Sequence, residues 1–142
     1  KSTWRDYFLV RVLEFGIYLF LEFDIIMEKP YNLEERTFLF AKECRIYIQK
    51  LPKTISNIED GKQLVRSSGS VGANYIEANE KLGEKDLSFR LKIARKEAKE
   101  SKYWLRLLQE LNPELKEKSE NLIFEIEELR KILSAIITKT MK

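Results

Sequence analysis

Leu87, Leu91, Ala94, Ala98, Ser101, Leu105 and Leu108 follow one another at spacings of 4-3-4-3-4-3 without a miss. Apolar and small side chains at that period fall on one stripe of an α-helix. Such a stripe is the seam along which a second helix packs, at a crossing angle of about 20°. Residues 85–111 therefore read as a long amphipathic helix, closed by Asn112-Pro113 because the residue before a proline is pushed out of the helical region.

The rest of the chain offers this seam three partners. Leu33, Phe40, Cys44, Tyr47 and Leu51 recur in threes and fours over residues 32–51, with Phe38, Ala41 and Ile48 widening that face. Asn32 and Glu35 have capping-box spacing at its start, and Leu51-Pro52 ends it. A second helix is expected over 57–82, starting near Ser56 or Asn57, with the stripe Leu64, Ser68, Val71, Tyr75, Ala78 and Leu82 and with Gly83 as its stop. A fourth, over 114–140, carries Leu122, Ile126, Leu129, Leu133 and Ile136, with Ile123 and Ile137 alongside. Short connections make neighbours antiparallel, so the fold class is all-α, an up-down-up-down four-helix bundle. Five glycines and three prolines leave little material for the turns of an all-β fold.

One stretch resists this pattern. Arg66-Ser67-Ser68-Gly69-Ser70-Val71-Gly72-Ala73-Asn74-Tyr75-Ile76-Glu77 lies inside the second helix, yet three serines and two glycines cost about 3 kcal/mol of helix propensity against alanine. Close approach of another backbone is the compensation to look for. The competing reading is a polar site of Arg66, Ser70, Asn74 and Glu77 on one face. Arg66 and Glu77 stand about 16 Å apart along the axis, so each needs a partner on another helix or subunit.

Composition removes whole classes of chemistry. The chain has no histidine, which rules out Ser-His-Asp and Cys-His catalysis, His-assisted zinc or di-iron sites and Arg/His ribonucleases. Cys44 is the one cysteine, so no disulfide forms within the chain, and reducing cytoplasmic conditions are the expectation. No metal, cofactor or small-molecule substrate is implied.

The formal charge of +3 is small, but it is unevenly distributed. Residues 85–106 carry eight bases against three acids, whereas 114–128 carry six glutamates against two lysines. Lys92, Arg95, Lys99, Lys102 and Arg106 make a 3-4-3-4 stripe that can follow a row of phosphates or lie as a solvated face. Repeated around a ring of subunits, the stripe would act on one polyanion many times over. Tyr103, Trp104 and Leu107 add an apolar patch outside the seam, which fits a subunit interface or a wide core equally well.

Residues 1–26 differ in character. Seven of the sixteen aromatic residues precede position 27, and Arg11, Glu14, Glu22 and Asp24 break the apolar run too often for a membrane span or a secretory signal. Met27 is the expected start, with 1–26 an upstream extension and 27–142 the bundle domain.

Gln63, Arg66, Ser67, Ser68, Ser70, Val71, Asn74 and Glu77 spell Q-x-x-R-S-S-x-S-V-x-x-N-x-x-E, preceded by Leu51-Pro52 and followed by Ala94, Glu97, Glu100 and Trp104-Leu105. In these residues the chain resembles the bacterial four helix bundle protein family, encoded in intervening sequences of large-subunit ribosomal RNA genes and often labelled ribosomal. The resemblance spans about residues 28–140. Ala78 stands where the family usually has glycine, and the family pattern has no counterpart to residues 1–26. The family is similar in turn to the accessory variability protein of diversity-generating retroelements, a basic homopentamer that binds nucleic acid and a reverse transcriptase. The resemblance implies a homo-oligomer, pentameric by that analogy, with an RNA or ribonucleoprotein partner and no catalysis. A protein-interaction module whose basic stripe meets a neighbour's acidic fourth helix is the alternative. An enzyme acting through Arg66, Asn74 and Glu77 is the third reading.

Overall fold

The computed structural model describes residues 32–80 and 83–141. The proposed start at Met27, the extension 1–26 and Leu82 of the second stripe lie outside them. The described residues form α1 (Leu33–Gln49), α2 (Ile55–Asn79), α3 (Glu84–Leu111) and α4 (Lys116–Thr140), with a 3-10 turn at Pro113–Leu115 leading into α4.

Three of the helix ends have a local cause. Thr54, not Ser56 or Asn57, caps α2: its hydroxyl accepts the Asn57 amide at 3.2 Å. Gly83 opens α3 instead of closing α2, which already ends at Asn79; its φ of 146° is open to glycine and strained for any other residue. Asn112 closes α3, its side-chain amide donating to the Leu108 carbonyl at 2.7 Å.

Side chains show the helices running antiparallel around a ring. Early α1 meets late α2 where Thr37 presses on Gly72, and late α1 meets early α2 where Ile48 presses on Gly61. Asn57 at the start of α2 bonds Asn112 at the end of α3. Late α3 meets early α4 at Gln109–Ser119, and early α3 meets late α4 at Arg95–Ser134. Arg36 of α1 closes the ring with a two-pronged ion pair to Glu125 of α4, both bonds 2.8 Å. This is the four-helix bundle that the spacing predicts.

The core follows the expected stripes with telling exceptions. Leu91, Ala94, Ala98, Ser101, Leu105 and Leu108 are all buried, as are Phe40, Cys44 and Tyr47 of α1. Phe38 is 61% exposed, so it does not widen the core face of α1 as its position in the sequence suggests. Thr37 takes the buried place next to it. In α4 the stripe ends on Ile137, with Ile136 turned half outward, because 3.6 residues per turn carries a strict heptad off the seam over its length. Among the described residues, no helix is long and apolar enough to cross a membrane.

Candidate nucleic-acid interface and the serine-glycine segment

The serine-glycine segment is explained by packing within one chain. α2 is pressed on two sides. Toward α1, a Cβ on Gly72 would stand 2.8 Å from Thr37 Oγ1, and one on Gly69 would stand 3.2 Å from an Arg45 guanidinium nitrogen. Toward α3, Ser67 and Ser101 are both fully buried and joined by a 2.9 Å hydroxyl–hydroxyl bond. Ser67, Ser68 and Ser70 each donate to a carbonyl of the preceding turn, so none is an unsatisfied buried hydroxyl. The compensation for poor helix propensity is tertiary, and the segment carries no argument for a subunit contact.

Arg66 finds its partner on α3. Its guanidinium bonds Glu100 and lies 3.4 Å from Glu97 Oε2, and Glu97 is only 5% exposed. Lys96 adds a second cation 3.8 Å from Glu97. Burial by itself would raise the Glu100 pKa, but hydrogen bonds from Arg66 and from the Trp104 indole outweigh it and hold the carboxyl below its ordinary value. The same bond to Glu100, with the charge of Glu97, raises the Arg66 guanidinium still further. Charges so matched tie α2 to α3.

The other motif residues do not gather into a site. Asn74 donates to the Ser70 carbonyl at 2.8 Å. The Gln63 and Glu77 side chains are exposed and make no hydrogen bond or ion pair with another described residue. Arg66, Asn74 and Glu77 line neither of the two concavities between α1 and α2 nor the one between α1 and α4 that the described residues form. Among the described residues, no group of His, Cys, Asp and Glu could hold a metal ion.

The family described as 23S rRNA-intervening sequence protein matches residues 31–135. The chain belongs to this family. A solved structure from the S23 ribosomal protein family of Bacteroides thetaiotaomicron VPI-5482, a protein of unknown function, is 31% identical to the chain. It superposes with a TM-score of 0.65, over 78% of this chain and 98% of that one. No curated protein matches the chain.

In this family member the five-residue basic stripe on α3 separates into two rows. Arg95 and Lys102 face α4: Arg95 donates to Ser134 at 3.5 Å and Lys102 pairs with Glu127 at 2.6 Å. Gln109 continues that row with a 2.9 Å bond to Ser119. Hydrogen bonds from Lys102 and Arg130 push the Glu127 carboxyl down to about 2. These residues fasten α3 to α4 inside the chain.

Lys92, Lys99 and Arg106 form the second row, one step further out. All three are exposed, and none pairs with a carboxylate of another described residue. Seven residues separate each from the next, which sets their roots about 10 Å apart on a straight line. Tyr103 is exposed beside them. Trp104 is held half-buried against Glu100, its ring 5.0 Å from that of Tyr103 in an edge-on contact. The apolar patch is thus partly fixed to α3 itself.

Arg45 is a bridging residue that the sequence pattern does not single out. Its guanidinium crosses from α1 to α2, donating to the Ala41 carbonyl at 3.0 Å, the Val65 carbonyl at 3.3 Å and Ser68 Oγ at 3.4 Å. A second row on α1, Phe38, Ala41, Arg45 and Ile48 at 3-4-3 spacing, was the available signal, and the larger apolar residues next to it obscured it.

Proposed function

We propose that this protein is a non-catalytic helical module that holds structured RNA by its phosphates, through Lys92, Lys99 and Arg106. The exposed row of cations, none of which pairs with a carboxylate of another described residue, carries this reading. Charges fixed about 10 Å apart on a rigid helix release counterions when they meet a polyanion, and they impose no base preference. Arg95 and Lys102 support the row from behind but are engaged with α4, so their share of binding is small. Homo-oligomerisation, implied by the resemblance, would bring several such rows to one RNA and raise avidity without new contacts.

The test is fluorescence-anisotropy titration of a structured large-subunit ribosomal RNA segment across a salt series. Wild type should bind with affinity that falls linearly on a log–log salt plot. Lys92→Glu, Lys99→Glu and Arg106→Glu together should abolish binding at moderate salt and flatten the slope by about 3, one for each contact. Binding that survives the triple change rejects the reading, as does an absence of binding by wild type at low salt. Light scattering with and without the RNA reads the subunit count in the same samples.

A further inference from the structure

On the side of the bundle away from the α3 row, α1 and α2 enclose a long groove with two concavities. One, of about 580 Å3, is walled by Ile48, Pro52, Ile58, Gly61 and Val65. The other, of about 430 Å3, is walled by Phe38, Ala41, Gly69, Ala73 and Ile76. Arg45 lies across the saddle between them, anchored to the Ala41 and Val65 carbonyls. The floor is low where α2 carries glycine: a Cβ on Gly72 would stand 2.8 Å from Thr37 Oγ1, and one on Gly61 would stand 3.3 Å from the Ile48 side chain. Phe38, Ile58 and Ile76 stay exposed along its edges.

The edge charges select an occupant. Lys42, Arg45, Lys53 and Lys62 line the groove against a single acid, Glu34, and of these Lys62 is paired with Glu59 at the surface. The centres of the concavities, near Gly61 and Gly72, are eleven residues apart on α2, about 16 Å. An antiparallel or parallel helix lying in the groove spans that distance in eleven residues of its own. We infer that this groove docks an acidic amphipathic helix of another protein, with large apolar side chains eleven residues apart and carboxylates between them to meet Arg45 and its neighbouring lysines. This is a helix-in-groove mode of recognition, in which apolar anchors supply affinity and flanking charge supplies register.

A second copy of the chain fits less well. The outward row of α3, Phe89, Lys96 and Tyr103, has the sign of the groove's own rim. The outward row of α4 offers one large exposed apolar side chain, Phe124. Neither places two anchors around an acidic centre.

The probe is a fluorescein-labelled, helix-stabilised peptide with two leucines eleven residues apart and two glutamates between them, titrated with the full chain. Saturable binding is expected, weakened at least about tenfold by Ile58→Glu and by Ala73→Glu, two surface changes at opposite ends of the groove. Exchange of the peptide's leucines for alanine, or of its glutamates for lysine, should weaken binding comparably. Circular dichroism confirms that both protein variants remain helical. The inference is overturned by an absence of saturable binding, or by equal affinity for the alanine peptide. A fall in the chain's own molar mass on Ile58→Glu or Ala73→Glu overturns it in favour of a second copy. Displacement of the peptide by structured RNA from the Lys92, Lys99 and Arg106 triple variant overturns it in favour of a nucleic-acid groove.

Discussion

At the scale of single residues, two glycines three positions apart in α2 have opposite reasons to be there. A methyl at Gly72 would collide with a buried, β-branched threonine whose hydroxyl is committed to the Glu34 carbonyl. Thr37 cannot rotate away without losing that bond. Overpacking of this kind costs about 1–3 kcal/mol, offset by about 1 kcal/mol of helix propensity, so Gly72→Ala should be net destabilising. A methyl at Gly69 meets only the tip of the flexible Arg45 side chain. Gly69→Ala should therefore be neutral or stabilising by up to about 1 kcal/mol. Urea denaturation of the two variants decides it, and equal effects would mean that α1 does not press on α2 at Thr37. Cys44 gives a second expectation at this scale. Burial pushes its thiol up to about 12, so the native chain carries almost no thiolate at neutral pH. A thiol reagent should label it only after denaturant is added; rapid labelling of the native chain would contradict its placement in the core.

At the scale of helices, period and charge were legible to different degrees. The α3 seam could be read directly because Leu91 to Leu108 repeat without interruption, and every one of those seam positions is buried. The basic stripe was legible as composition but not as chemistry. Lys102 and Lys99 are three residues apart and look equivalent in sequence, yet the helix turns one toward Glu127 and the other to solvent. Which cation is used up depends on the neighbour's register, and α4's register is a tertiary fact. Phe38 and Thr37 show the same limit on α1: periodicity favours the phenylalanine for the core, but Gly72 leaves room for only a small side chain there. The Lys102–Glu127 pair predicts an acid response. Glu127 titrates near 2 when folded against an ordinary 4.5, so between those values the unfolded chain binds more protons. Stability from this pair is full above about 4.5 and is lost as pH falls toward 2. Lys102→Met should make the decline of the urea midpoint over that window shallower than in wild type. An unchanged decline would show that the pair does not form in solution.

At the scale of the whole molecule, one end of the bundle is closed by a contact that no periodicity announces. Asn57 and Asn112, 55 positions apart, exchange amide hydrogen bonds of 2.8 and 2.9 Å, and both are buried. Asn57 also donates to the Pro52 carbonyl, and Asn112 to the Leu108 carbonyl. The connection between α1 and α2 is thereby tied to the connection between α3 and α4, and both helical pairs are held in register from the same end. In sequence each asparagine reads as local punctuation beside a helix terminus, which is why the pairing was not legible. The resemblance and the seam gave the bundle, but only the three-dimensional contact says what fixes its two halves together. Either amide, left alone, would be a buried polar group without its partner, a loss of about 1–3 kcal/mol. Asn57→Ala and Asn112→Ala should each cost that much. The double variant should cost clearly less than their sum, because it removes both orphaned groups at once. The groove lies within the α1–α2 pair and the basic row on α3 alone, so looser register between the pairs should leave affinity for RNA and for an acidic helix largely unchanged. Strictly additive costs in a double-mutant cycle would mean that the two asparagines act as separate caps and that the halves of the bundle are joined only along their length.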